Sequence, residues 1–295
     1  MTPTRLLLAL LVFPGVLYAV PMGWLMQASE RKVVARLQGR IGPPLTQGFY
    51  DFVKLLAKAP VPRAEPFLLT LLPLLAVGAT LGALALLPVW TGGFTGDLIL
   101  FVGLLELAPL CAVLAGFASR SVYGEVGAVR EAVLGISVNV PFLAALLALA
   151  TASGSLQLAQ VAGGAPWLVR GPALAALLCC LPVKLRLNPF SVANAEQEIL
   201  AGPLTEFDGP RLALWELAHG LEWVVLAGLV ASLAVPGRGV AFVLVSLAVV
   251  PLLGTLAAAT ARLKINQAAR FLWTWAALAA AASVFAALAI RHGRL

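Results

Sequence analysis

Ten glutamates and three aspartates are the only acids in 295 residues, so the position of each is informative. Glu106 stands inside the apolar run LLELAPL, and Glu216, His219 and Glu222 recur at intervals of three in WELAHGLEW. On a helix this spacing places neighbours on successive turns, as a ribbon along one side. Carboxylates and imidazoles exchange protons, and an ionisable group inside a membrane is expensive enough to imply a pathway or a pairing partner. For Glu216 the alternative is an interfacial position facing water. A second group, Glu196, Glu198, Glu206 and Asp208, forms an acidic island near Arg186 and Arg211. It reads as a solvated loop or as a carboxylate-lined entrance for protons. His219 and His292 lie far apart, and Cys111, Cys179 and Cys180 sit in apolar runs without CxxC spacing. We therefore expect no metal site, no bound cofactor and no catalytic residue on this chain.

The elements that must hold these groups are membrane spans. Hydrophobic residues make up 61 % of the chain and charged ones 11 %, against about 25 % charged in soluble domains. The mean hydropathy is +0.97. We expect an all-α polytopic membrane protein of about eight spans, forming a single integral membrane domain over residues 1–295. The apolar stretches run near 5–26, 67–90, 98–118, 132–152, 172–187, 213–234, 240–260 and 271–290. Pro73, Pro109, Pro141 and Pro251 fall inside them, where neighbouring helices can satisfy the freed backbone groups.

Loop charge sets orientation. The loops near 27–66, 119–131, 184–212 and 261–270 carry 15 of the 20 Lys and Arg residues, which places them in the cytoplasm and both termini outside. The net charge of +7 is loop charge of this kind, not a nucleic-acid surface. Two of these loops should contain short interfacial helices. Phe49, Phe52, Val53 and Leu56 share one helical face, away from Asp51, Lys54 and Lys58. Asn188-Pro189 reads as a cap and first-turn proline for a helix reaching about Leu200.

Three cytoplasmic segments, in order, resemble the H-type membrane subunits of respiratory complex I and their hydrogenase relatives, which form one family. The segments are ERKVVARLQGRIGPP from Glu30, VLAGFASRSVYGEVGAVREAVLG from Val113, and NPFSVANAEQEILAGPLTEFDG from Asn188. The compact RIGPPLTQGFYDFVKLL is most similar to the hydrogenase branch, as in formate hydrogenlyase subunit 4. The resemblance implies a membrane anchor of a group 4 nickel–iron hydrogenase-like complex in a bacterial or archaeal cytoplasmic membrane. Its partners would be hydrogenase-type large and small subunits, an iron–sulfur subunit and antiporter-like membrane subunits. The nickel–iron centre and iron–sulfur clusters would lie in those partners. Docking would fall to Arg31, Arg36, Arg40, Gly42, Pro43, Gln47, Asp51, Lys54 and Arg130. Proton transfer would fall to Glu106, Glu131, Glu196, Glu198, Glu206, Glu216, His219 and Glu222.

The chain departs from the family pattern inside the bundle. Asn139 and Lys184 stand where the family has glutamates, Ser191 where it has an aspartate, and His219 where complex I has its span-six glutamate. Either the proton route is rebuilt through Glu106, Glu216, His219 and Glu222, or the chain mainly anchors. Two other functions stay open: a complex I membrane subunit of the H type that frames a quinone site, and a stand-alone secondary transporter.

Overall fold

Apolar segments that cross a bilayer satisfy their backbone groups internally, and helices do this within one segment. The computed structural model describes residues 15–59, 66–88, 96–236 and 239–293, and it is helical throughout its long apolar runs. Among the described residues, seven helices are long and apolar enough to span a membrane. They are α3 (Pro66–Leu86), α4 (Leu98–Ala118), α5 (Val122–Ser153), α7 (Trp167–Lys184), α9 (Gly209–Ala234), α10 (Gly239–Ala259) and α11 (Ile265–Arg291). The expected first span is described only from Gly15 on; residues 5–14 of that stretch lie outside the described residues. Its visible part is α1 (Val16–Leu37), which continues through Glu30, Arg31, Lys32 and Arg36.

Three loop expectations are corrected. The segment 119–131 is helical from Val122, because α5 runs for 32 residues. At 1.5 Å per residue this is well beyond the roughly 30 Å hydrocarbon core, so the helix is longer than a span requires. The 261–270 segment joins α11 at Ile265, and a π-helical turn at Leu272–Ala276 lies within that helix. The segment after Asn188 is a series of turns; Glu196–Ile199 forms an α-helix, α8, of a single turn, and Gly202–Leu204 a 3-10 turn. Asn188 instead accepts a hydrogen bond from Ser191 Oγ at 2.5 Å. The amphipathic helix near residue 50 forms as α2 (Gln47–Ala57), and a short α6 (Leu158–Gly164) links α5 to α7. Helices run through Pro73, Pro109, Pro141 and Pro251.

The spans pack as two groups. α9 is the most enclosed and touches α1, α2, α3, α7 and α10, whereas α5, α7 and α11 pack against one another. α4 joins the groups by packing on both α3 and α5. Gly23 of α1 meets Gly220 of α9 backbone to backbone: a Cβ on Gly23 would lie 2.5 Å from the Gly220 carbonyl oxygen. On α5, a Cβ on Gly127 would lie 2.7 Å from the Gly202 Cα, so the 188–209 segment seats directly on that helix.

Candidate functional site

Where α4, α5, α7 and α9 converge, the bundle encloses two charged clusters. α4 contributes Glu106 near its middle, and α5 contributes Glu131 and, two turns further on, Asn139. α7 ends on Lys184, and Arg186 follows with φ of 54°. Left-handed backbone is unfavourable for a residue with a side chain. Two positions apart on a continuous helix would point to opposite sides. The break after Lys184 instead lets both cations face inward.

In the first cluster, Lys184 Nζ donates to Glu106 Oε1 at 2.5 Å and to Asn139 Oδ1 at 2.8 Å. Asn139 Nδ2 donates to Glu106 Oε2 at 2.9 Å, which closes a ring of three residues. Nζ also sits 4.4 Å from the centroid of the buried Phe142 ring, a favourable place for a cation. In the second cluster, Arg186 Nε donates to Glu131 at 2.8 Å and Nη1 donates to Glu222 Oε2 at 3.1 Å. His219 Nδ1 lies 3.3 Å from that same Glu222 oxygen and 3.4 Å from Arg186 Nη1. Bare charges in low dielectric are strongly unfavourable, and pairing is what permits them here.

Three cavities lie beside these groups. One of about 40 Å³ is lined by Glu106, Glu131, Lys184 and Glu222. A second of about 70 Å³ is lined by Arg186, Asn194, Glu216, His219 and Glu222. A third of about 390 Å³ opens under α2, between Trp24, Gln27, Arg31, Asp51 and Phe52, and again reaches Glu216. Glu222 borders the first two and Glu216 the last two. Each is large enough for at least one water, given about 10–15 Å³ per water centre. Along α9 the groups step inward: Glu216 is exposed, His219 half-buried and Glu222 buried.

Glu106, Glu131, Glu216, His219 and Glu222 line the first two of these cavities between them; spacing had grouped only the three on α9. Of the acidic island, Glu198 pairs elsewhere. Glu198 is 56 % exposed and bonds Arg130 at 2.7 Å. The hydrogen bond and charge of Arg130 hold its carboxyl below the usual carboxylate range. That pair borders a separate groove of about 530 Å³ with Arg262 and Lys264. Glu206 lies in the turn after Gly202–Leu204, and the side chain of Glu196 lies outside the described residues. Among the described residues, no three His, Cys, Asp or Glu side chains are placed to hold a metal ion.

Lys184 and Arg186 are the residues that sequence reasoning underused. Their signal was two cations within three positions at the end of a short apolar run. Their partners lie 78 and 55 residues away, so the pairing itself left no trace in the spacing.

Of the docking candidates, Arg31, Arg36, Arg40 and Lys54 are exposed, and Gly42, Pro43, Gln47, Asp51 and Arg130 are half-buried. Gly42 has φ of 76°, and a Cβ there would lie 3.0 Å from Ala35 Cβ, so the turn folds back on α1. Gln47 donates to Asp51 at 2.7 Å, and Trp24 packs on Phe49 and Phe52 with centroids 5.7 and 5.4 Å away. These contacts fix α2 against α1, while Phe49, Val53 and Leu56 stay exposed.

The NADH dehydrogenase family profile matches residues 8–288. Hydrogenase-4 component C of Escherichia coli K12 is 34 % identical over 219 residues, covering 70 % of this chain and 69 % of that protein. Formate hydrogenlyase subunit 4 of the same strain is 31 % identical over 232 residues, covering 75 % of each. The H-type subunit of NADH-quinone oxidoreductase from Geobacillus kaustophilus HTA426 is 30 % identical over 226 residues, covering 71 % and 68 %. Among solved structures, a chain of the membrane-bound sulfane sulfur reductase, an archaeal respiratory membrane complex, superposes with a TM-score of 0.87. It is 28 % identical, with 96 % of this chain and 99 % of that chain covered. A bundle of membrane-length helices around paired buried charges, matched by this family over nearly its whole length, identifies the chain as a multi-pass membrane member of the NADH dehydrogenase family, similar to hydrogenase-4 component C and formate hydrogenlyase subunit 4.

Proposed function

We propose that this chain is the membrane-anchoring subunit of a group 4 nickel–iron hydrogenase-like complex and that it couples electron transfer to ion movement. The observation that carries the reading is the line of cavities from the groove under α2, past Glu216, to the paired charges around Glu222. An anchor alone has no need of so costly an interior. Hydrogenase-4 component C at 34 % identity supports the hydrogenase assignment.

In this reading the soluble redox arm, made of large, small and iron–sulfur subunits, rests on the basic turn at Arg36 and Arg40 and on α2. Antiporter-like subunits flank the bundle, and both termini face away from the cytoplasm. The nickel–iron centre and iron–sulfur clusters belong to the arm. Electrons stay there, and a change of charge above α2 acts through the field on the nearby ionisable groups. Glu216 takes protons from the groove and passes them toward His219 and Glu222.

A second reading, the quinone-site membrane subunit of a complex I-type enzyme, draws on the groove of about 390 Å³, which falls in the range of small-molecule sites and mixes Trp24 and Phe52 with Gln27, Arg31 and Asp51. One purification decides between them. An affinity tag on this chain should bring down hydrogenase-type subunits, with nickel and iron by elemental analysis and hydrogen turnover in vesicles. Quinone reduction without nickel would favour the second reading. A chain that purifies alone and moves ions would overturn both.

A further inference from the structure

A second set of charges stands outside the bundle interior. α10 and α11 follow one another in the chain, yet they pack into different groups: α10 lies on α1 and α9, and α11 on α5 and α7. The residues between them, 260–264, are not helical and meet the segment after Asn188. Leu263 N donates to the Pro189 carbonyl at 2.9 Å, and Arg262 Nε donates to Ser191 Oγ at 3.2 Å. The Phe271 ring packs on Phe190 with centroids 5.3 Å apart. These ties hold Arg262 and Lys264 in the lining of the groove of about 530 Å³, together with Arg130.

Among the described residues, the groove is lined by three cations, Arg130, Arg262 and Lys264, and by one carboxylate, Glu198, which Arg130 already holds. Counting Glu196, on the same turn, as a second carboxylate still leaves a positive excess. The rest of the lining is apolar: Val192, Leu263 and Ile265. Cationic heads among apolar walls suit a ligand that is anionic at one end and apolar at the other. The surroundings have the same character. Gly254 of α10 packs against Val33 of α1, so α10 ends where α1 carries its basic residues. Away from the groove, α10 exposes Leu252 and Leu256, and α11 exposes Trp273, Trp275 and Leu278. Tryptophan is enriched at the membrane–water boundary, and Trp273 lies roughly 12 Å along α11 from Ile265. An acidic segment of a soluble partner would match the cations but not this apolar continuation.

We propose that the groove lined by Arg130, Arg262 and Lys264 is a binding site for an anionic phospholipid. The phosphodiester sits on Arg262 and Lys264, beside Arg130, which Glu198 and the Val192 carbonyl hold in place. The acyl chains lie along the exposed apolar side chains of α10 and α11. At about 530 Å³ the groove falls in the range of small-molecule sites. One lipid there ties the helix group of α10 to the helix group of α11 at the point where the chain passes from one to the other. The site is independent of which redox partner the complex carries.

The test uses the complex purified from membranes by a tag on this chain, stripped of lipid in neutral detergent and titrated with phosphatidylglycerol or phosphatidylcholine. Bound lipids are counted by native mass spectrometry. The wild type should bind phosphatidylglycerol at one site at least tenfold more tightly than phosphatidylcholine. Arg262→Gln combined with Lys264→Gln should abolish that preference. Arg291→Gln, which removes an exposed cation at the other end of α11, should keep it. Equal binding of the two lipids by the wild type, an unchanged preference in the double variant, or an equal loss in Arg291→Gln would overturn the proposal. So would displacement of the lipid by glycerol phosphate at comparable concentration, which would make the ligand a soluble anion. A photoactivatable phosphatidylglycerol locates the site in the wild type, whether or not the double variant assembles. Labelling within 260–265 supports the proposal, and labelling elsewhere alone overturns it. A partner polypeptide cross-linked through Lys264→Cys, in place of lipid, would put an acidic protein segment in the groove and overturn it as well.

Discussion

Lys184 and Glu106 form an ion pair 2.5 Å apart inside the bundle, joining the end of α7 to the middle of α4. Lys184 is only 7 % exposed and Glu106 23 %, so neither charge is well solvated without the other.

Removing one partner should therefore be worse than removing both. Lys184→Met or Glu106→Gln alone leaves an uncompensated charge and should lower stability by roughly 3–5 kcal/mol. The double variant should fall well short of the sum of the two. Thermal melts of the detergent-solubilised complex, arranged as a double-mutant cycle, measure this.

Gly23→Ala should separate α1 from α9. Its Cβ would sit 2.5 and 2.7 Å from backbone atoms of Gly220, which no rotamer change relieves. Overpacking of this kind costs about 1–3 kcal/mol or more. Gly78→Ala, where a Cβ meets nothing within 4 Å, is the control and should be neutral. Yield of assembled complex and its melting temperature report both.

The Arg130–Glu198 contact ties α5 to α8 at the bundle surface and should loosen in acid. Arg130 holds the Glu198 carboxyl below its ordinary value. The contact is thus fully present above the ordinary carboxylate range and is lost as pH falls through the lowered folded-state value. Arg130→Gln should return Glu198 to ordinary titration and speed amide exchange over Glu196–Ile199 at neutral pH. Hydrogen exchange of that turn, followed against pH in both proteins, checks the sign.

Charge reversal at Arg36 and Arg40 should weaken attachment of a soluble arm without unfolding the membrane part, since both side chains are exposed. The effect should be chiefly on association and should grow at low salt. Retention of the arm on tagged membranes across a salt series tests it, and loss of the membrane protein itself would count against a surface role.

Much of this protein is local and therefore legible in the chain. Apolar run lengths set the spans, because each must satisfy its own backbone in lipid. The spacing of Glu216, His219 and Glu222 set their shared side of α9. The pattern of Phe49, Phe52, Val53 and Leu56 set the amphipathic α2. Boundaries were less legible: hydropathy marks the apolar stretch, whereas α5 and α11 continue as helices beyond it. The segment from Asn188 was misjudged because a proline after a capping residue permits a helix start without requiring one.

What only the tertiary structure decided is which charges are paired. Arg186 read as a neighbour of the acidic island, yet it lies between Glu131 and Glu222. Lys184 read as the end of a span, yet it closes a ring with Glu106 and Asn139. Helical periodicity fixes the side on which a residue lies, but not the helix that packs there. That choice depends on close approaches such as Gly23 on Gly220 and on the turn after Lys184, which bring together residues that are far apart in the chain.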